Sequence, residues 1–305
     1  MNQPKKQHWV PRFYLKHFAT PESLAREKPQ VWIISKNKED GNEVLTNIEN
    51  ICSKTHLYTP LEETGVRNWE LEDKLQKFES VGSQWWDILA NNFIDLGDKS
   101  FRKGIALFIA IMHLRNPNIL EESTTLHANM VSVFKEILAE AGDDPIEVLL
   151  GDKTLPLDKS GWDEYQSWGE IEHQNFFIDQ IKTQAVPLAT LLLEKRWSVV
   201  FAETPQFATS DCPVTTAHQR KKVFGFGTHG TIVSIPISQY KVLTIDDMLD
   251  EPDNQYYPAK DGFVESANFL TWRGARRFLI SGRPIKNILT EMVKFTDSLE
   301  SDGFS

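Results

Sequence analysis

The sequence predicts an α+β fold, in which a helical first half packs against a mostly antiparallel sheet formed largely by the second half. Two observations indicate this. Up to residue 195, apolar residues mostly recur at the three- and four-residue spacing of helices. From Trp197 onward, several short segments alternate apolar and polar residues with a period of two, as strands do. A run of helices followed by a run of strands is typical of this class.

Four segments of the first half have helical patterns. Residues 68–91 have an apolar stripe opposite charged side chains, which predicts an amphipathic helix. Residues 101–114 are apolar almost all round, which predicts a central helix that ends before Pro117, since the residue preceding a proline disfavours helical geometry. The amphipathic segments 127–141 and 171–195 are the other two predicted helices.

Strands and turns are predicted at both ends of the chain. Short apolar runs bounded by turn residues predict a hairpin near the start, and alternating segments predict antiparallel strands after residue 196. The predicted strands are 31–34, 43–46, 197–202, 232–236, 240–245 and 278–281, with a turn at 236–239 and helices at 265–276 and 285–295.

The first eighteen residues contain an unusual concentration of large apolar side chains. Chain ends are commonly disordered unless something holds them, so we expect this segment to dock into the core and to carry His8 and Arg12 with it. Pro11 fits the first turn of a helix. The apolar side chains are Trp9, Val10, Phe13, Tyr14, Leu15 and Phe18.

Composition limits the class of protein. The net charge is −10, from 33 basic and 43 acidic residues, which disfavours binding of nucleic acid over a broad basic surface but leaves a local basic groove open. Cys52 and Cys212 match no metal-site spacing, and reduced cysteines favour a cytoplasmic location. The longest apolar run, 105–114, is too short to cross a bilayer, so we expect no membrane association.

The opening residues Gln7-His8-Trp9-Val10-Pro11, followed by Tyr14, Leu15 and Phe18, resemble the first signature of domain-of-unknown-function family 4238. That signature reads roughly Gln-His-(aromatic)-Val-Pro-x-x-Tyr-Leu-x-x-Phe. The resemblance extends over about residues 7–281, and it implies no established activity. The other segments that carry it are Tyr58 after Cys52, Glu72 with Glu79, 114–117, 207–213 and 268–278.

The resemblance and the helical pattern together suggest a domain over residues 7–295. Within it, residues 142–169 are acidic, rich in Gly and Pro and poor in apolar side chains, which indicates a flexible excursion. Residues 296–305 are interpreted as an acidic tail.

Three cationic or titratable residues are candidates for a site. His8 could carry a proton or bind a metal, and Arg12 could hold a phosphate or carboxylate. Arg115, at the end of the central helix, could form the floor of an anion pocket. In the alternative, His8 and Arg12 brace the docked terminus through backbone carbonyls, and Arg115 interacts with the helix dipole. Glu72 and Glu79 are either a solvated stripe or turn inward, where Glu79 could pair with Arg12 or Arg115.

The second half contributes three further polar candidates. Asp211 could act as a general base or bind a hard cation, with Ser210 beside it, or both could cap backbone N–H groups. Asn268 lies in an apolar helical segment and either contacts substrate or hydrogen-bonds to neighbouring backbone. No Gly-x-Ser-x-Gly segment is present, which disfavours a serine hydrolase.

These residue types favour a cytoplasmic enzyme that acts on a phosphate-bearing substrate, such as a nucleotide or nucleic acid. In that hypothesis His8 and Asp211 are catalytic, and Arg12, Arg115, Ser210 and Asn268 bind substrate. The cofactor is unknown and a divalent metal is left open, as is the oligomeric state. The alternative is a non-catalytic ligand-sensing or protein-interaction module, for example in a bacterial defence or toxin–antitoxin setting.

Overall fold

The structure is a computed structural model, and it describes residues 5–36, 41–62, 64–141, 147–150, 152–156 and 160–301. Helices lie mostly in the first half and strands mostly in the second, which confirms the predicted α+β class. The helices are α1 (Arg12–Lys16), α2 (Glu70–Asn91), α3 (Lys99–Leu114), α4 (Pro117–Ala141), α5 (Trp162–Gln166), α6 (Glu170–Leu193), α7 (Phe263–Gly274) and α8 (Ile285–Ser301).

The strands form two larger sheets and two smaller pairs. In order of sequence they are β1 (Lys6–His8), β2 (Gln30–Ser35), β3 (Glu43–Asn47), β4 (Ser53–Thr55), β5 (Glu147–Leu150), β6 (Lys153–Pro156), β7 (Arg196–Phe201), β8 (Thr209–Ser210), β9 (Thr215–Ala217), β10 (Ile232–Ser238), β11 (Lys241–Asp246), β12 (Gln255–Pro258) and β13 (Phe278–Ser281).

The larger sheets are antiparallel except at one edge. The five-stranded sheet has the order β12-β7-β11-β10-β9, and only β12 runs parallel to its neighbour β7. The four-stranded sheet has the order β3-β2-β13-β8, so it combines the predicted N-terminal hairpin with strands from the second half. The predicted single sheet is therefore divided into two, because β13 pairs with β2 and β8 and not with a strand of the five-stranded sheet.

The central helix α3 packs against α2 and α6, and its residues Ile105, Ala106 and Ile109 are fully buried. Asn116 separates α3 from α4, and its side-chain oxygen accepts a hydrogen bond from the backbone N–H of Asn118 at 3.0 Å. This is an N-cap contact, and Pro117 occupies the first helical position, where its missing N–H has no cost. Helix α4 consequently begins at Pro117, ten residues before the predicted start.

Two other predicted boundaries are shifted. Strand β10 continues through Pro236 to Ser238, with an irregular register between those residues, so the predicted turn at 236–239 is shorter than expected. Helix α8 continues to Ser301, beyond the predicted end at residue 295. Of the interpreted tail, residues 302–305 lie outside the described residues.

The interpreted excursion at 142–169 contains local structure. β5 and β6 pair as an antiparallel hairpin, and α5 follows them. Residues 142–146, 151 and 157–159 lie outside the described residues. None of the helices described has both the length and the apolar composition required to cross a membrane.

The N-terminal segment docks into the core as predicted. The Tyr14 hydroxyl donates to the backbone oxygen of Pro236 at 2.8 Å, and the Trp9 indole N–H donates to the backbone oxygen of Asp211 at 3.0 Å. Trp86 of α2 lies between Tyr14 and Phe108 of α3, with ring centroids 5.3 and 5.0 Å away. The segment thus joins the helices to strands more than 190 residues further along the chain.

Candidate functional site

A short strand and a short helix place the basic N-terminal residues at the surface. β1 pairs antiparallel with β4, so its side chains alternate in direction: Lys6 is exposed, Gln7 is buried and His8 is half-buried. Pro11 precedes α1, which places His8 in the strand and not on one helical face with Arg12. Within α1, Arg12 and Lys16 are four residues apart and both exposed, as expected for one side of a helix.

This segment forms one wall of a cleft of about 530 Å³. The opposite wall is α2, which contributes Glu72, Gln76 and Glu79 from the same helical face. Four exposed cations, which we call the cationic rim, line the opening: Lys6, Arg12, Lys16 and Arg26. Three buried residues with polar groups, which we call the buried floor, line the interior: Gln7, Tyr58 and Glu72.

His8 lines this cleft as a neutral imidazole. Its Nε2 lies 3.3 Å from the backbone oxygen of Glu49. Because a carbonyl oxygen can only accept, Nε2 carries the proton and Nδ1 is the basic nitrogen. Burial, the Glu49 carbonyl and nearby charges together set the pKa of His8 at about 4. Burial has the largest lowering effect, the charges of Arg12, Lys6 and Arg115 add to it, and the hydrogen bond to the Glu49 carbonyl opposes it.

Arg115 lies directly behind the cleft and is 1% exposed. Its Nε donates to the backbone oxygen of Trp9 at 2.7 Å, and its Nη1 donates to the Glu79 carboxylate at 2.5 Å. Glu79 therefore turns inward. The sequence left Arg12 and Arg115 open as its partner, and the structure pairs it with Arg115. The Nη2 group of Arg115 is buried without a hydrogen-bond partner among the described residues.

The amide of Gln7 has a fixed orientation. Its Oε1 accepts a hydrogen bond from the backbone N–H of Tyr58 at 2.7 Å, and the residue is 1% exposed. Since an N–H group needs an acceptor, the oxygen must face Tyr58 and the Nε2 group faces elsewhere. That Nε2 is buried and has no partner among the described residues, although Gln7 lines the cleft. Buried donors are normally bonded, so this group stands out among the residues that line the cleft.

Glu72 places a carboxyl group on the buried floor, where it is 7% exposed. Its Oε1 accepts a hydrogen bond from Gln76 at 3.0 Å. Burial raises the pKa of Glu72, and the neighbouring negative charge of Glu79 adds to that increase. The cleft therefore combines a cationic rim with a buried acid.

Asp211 and Ser210 lie away from the cleft. The Asp211 carboxylate accepts hydrogen bonds from the backbone N–H groups of Arg276, Arg277 and Phe278 at 3.1–3.2 Å and is 1% exposed. Burial raises the pKa of Asp211, and these three donors oppose that rise. The Ser210 hydroxyl accepts from the backbone N–H of Cys212 at 3.1 Å. Both side chains therefore cap backbone N–H groups, which the sequence analysis gave as the alternative to a catalytic role. Neither lines the cleft with His8.

Asn268 is also separate from the cleft. Its side-chain oxygen accepts from the backbone N–H of Ala208 at 2.9 Å, and its Nδ2 donates to the backbone oxygen of Gln206 at 3.0 Å. The amide thus fastens α7 to the segment preceding β8, with both ends of the amide occupied. These contacts account for a buried asparagine in an apolar helix without a substrate.

Four residues that line the cleft were not predicted as site residues: Lys6, Gln7, Lys16 and Arg26. The spacing of Arg12 and Lys16 was a usable signal, since residues four apart share a helical face. Among the described residues, no group of three or more His, Cys, Asp or Glu side chains is arranged to hold a metal ion.

The comparisons with known proteins identify the family. The family model described as "Protein of unknown function (DUF4238)" matches residues 6–284. The chain belongs to this family. The DUF4238 match begins in β1 and ends just before α8, so both walls of the cleft lie within the family domain. No curated protein and no solved structure matches the chain.

Proposed function

We propose that the cleft binds a small molecule that carries a phosphate group. Two cations without partners among the described residues, Arg12 and Lys16, support this proposal. Both line the cleft, and neither side chain makes an ion pair or hydrogen bond to another residue within the described ranges. A guanidinium group can bind two phosphate oxygens at once, and an ammonium adds a point charge beside it.

The charge distribution sets the orientation of this ligand. The α2 wall carries Glu72 and Glu79, which repel an anion, whereas the α1 wall carries the unpaired cations. The phosphate therefore lies against α1, and the remainder of the molecule extends toward α2. A cleft volume of about 530 Å³ suits a small ligand. For this reason we favour a small anion over nucleic acid as the partner.

Binding of ribose 5-phosphate, measured by isothermal titration calorimetry, tests the proposal. Because a hydrogen bond to a charged group contributes about 1.5–3 kcal/mol, we expect Arg12→Gln to weaken binding by about tenfold to a hundredfold. The matched control is Arg220→Gln, which removes the same charge from an exposed position outside the cleft. Absence of binding to the wild type, or an equal loss in the control, contradicts the proposal.

His8 supports hydrolysis of the phosphate ester as the reaction in this cleft. A bound phosphate dianion raises the pKa of the neighbouring imidazole, because a negative charge favours the protonated ring. In this reaction Nδ1 of His8 accepts a proton from a water whose oxygen attacks phosphorus. The ester P–O bond breaks, and the leaving oxygen takes up a proton from a second water on the opposite side of phosphorus. His8 is then the base of the step, and it returns its proton to solvent.

Release of inorganic phosphate from ribose 5-phosphate measures this activity. Acid–base groups commonly contribute a factor of about 10²–10⁴ to a rate, so we expect His8→Gln to lower turnover by about that factor. The amide can still donate to the Glu49 carbonyl, and we expect ligand affinity to change much less. Binding without phosphate release by the wild type favours a ligand-sensing function and contradicts hydrolysis.

A further inference from the structure

We infer that the ligand of the cleft is a nucleotide, whose base lies on the buried floor while its phosphate lies at the cationic rim. This inference rests on the proposed function for the position of the phosphate. It adds a recognition element for the part of the ligand that reaches α2. The interior of the cleft contains a buried donor and a buried acid whose hydrogen-bonding capacity the described residues do not use up.

The donor is Nε2 of Gln7. A simple phosphate-binding site does not require a buried amide whose orientation is fixed, and this one is fixed by the Tyr58 backbone N–H at 2.7 Å. The Nε2 group is therefore turned away from the Tyr58 N–H, and the described residues supply no acceptor for it. An unpaired buried donor costs about 1–3 kcal/mol, and a ligand oxygen or ring nitrogen removes this penalty.

The acceptor is Glu72. One of its carboxyl oxygens accepts from Gln76, and the described residues supply no hydrogen-bond donor to the other. The backbone N–H of Tyr58 bonds to Gln7, and Gln7, Tyr58 and Glu72 all line the same cleft. The floor thus contains both an N–H donor and a carboxyl acceptor.

Three apolar side chains also line the cleft. They are Phe13 of α1, Leu75 of α2 and Ile48. A flat heteroaromatic ring fits such a space, because its faces are apolar and its edge carries donors and acceptors side by side. Nucleobases have this character, and proteins read them through edge hydrogen bonds and stacking on apolar or aromatic side chains. The sugar of a sugar phosphate is polar on all sides.

The test compares ribose 5-phosphate with the 5′-monophosphates of adenosine, guanosine, cytidine and uridine by calorimetry on the full chain. We expect at least one nucleotide to bind about tenfold or more tightly than ribose 5-phosphate. Glu72→Gln should bring the ratio of nucleotide affinity to ribose 5-phosphate affinity toward one. The matched control, Glu27→Gln, removes a carboxylate from the exposed opening of the same cleft and should preserve the ratio.

The ratio of the two affinities in the wild type is measured without any substitution, so it tests the inference even if Glu72→Gln folds poorly. Gln7→Glu provides a second variant, since it keeps the oxygen for the Tyr58 N–H and replaces only the donor. Ribose 5-phosphate binding as tightly as every nucleotide overturns the inference and leaves the proposed phosphate site standing. An unchanged ratio in both floor variants overturns it as well. Absence of binding by ribose 5-phosphate and all four nucleotides overturns both proposals.

Discussion

We expect Asp211→Ala to lower the free energy of unfolding by about 3–5 kcal/mol, as measured by chemical denaturation. The carboxylate is 1% exposed and accepts from three consecutive backbone N–H groups at the start of β13. Alanine removes the carboxylate, so all three N–H groups lose their acceptor. A buried N–H group left without a partner costs about 1–3 kcal/mol, and entry of water recovers part of the sum.

Two comparisons separate this structural role from a catalytic one. Asp211→Asn keeps one carbonyl oxygen, so we expect about half of the loss. Asp261→Ala removes an exposed carboxylate outside this network and should change stability by no more than about 0.5 kcal/mol. Wild-type stability in Asp211→Ala, combined with lost phosphate release, contradicts the capping role and restores Asp211 as a catalytic candidate.

Trp86→Ala is expected to lower the free energy of unfolding by about 3–5 kcal/mol, the usual range for a buried aromatic side chain. Trp86 is fully buried, and its indole N–H donates to the backbone oxygen of Ile237 at 3.1 Å. The ring also supports Tyr14, which anchors α1. Loss of this support displaces Arg12 and Lys16, so we expect phosphate affinity to fall together with stability.

Val81→Ala is the control on the same helix. Val81 is 46% exposed, and its truncation should cost no more than about 0.5 kcal/mol. Trp86→Phe keeps an aromatic ring against Tyr14 but loses the hydrogen bond to Ile237. Its loss of stability should therefore lie between those of Trp86→Ala and Val81→Ala. A Trp86→Ala protein with nearly wild-type stability contradicts the view that this residue joins the N-terminal segment to the sheet.

Part of the candidate site could be predicted from sequence. His8 and Arg12 were found because the segment that carries them is too apolar to remain in solvent, and both line the cleft. Arg115 was found because it follows a central helix, and it lies behind the same cleft. Asp211, Ser210 and Asn268 form caps elsewhere, since their residue types suit backbone capping as well as catalysis. Sequence alone does not show which backbone N–H groups lie within reach.

Gln7 shows why the rest of the site was missed. An amide beside a histidine gives no chemical signal in a sequence, and its importance depends on Tyr58, fifty-one residues away, fixing one end of it. Glu79 is similar. Its spacing from Glu72 placed both on one face of α2, but only the approach of Arg115 shows that the face turns inward.

The sequence by itself determined the α+β class, the position of most helices and of the longer strands, and the docking of the N-terminal segment. These features follow from periodicity, proline positions and local apolar content, which act over a few neighbouring residues. The tertiary structure decided that β13 pairs with β2, and that α2 faces β1 and α1 across a cleft. It also decided which polar groups have partners. Those outcomes depend on contacts between distant segments, and such contacts leave no local pattern in the chain.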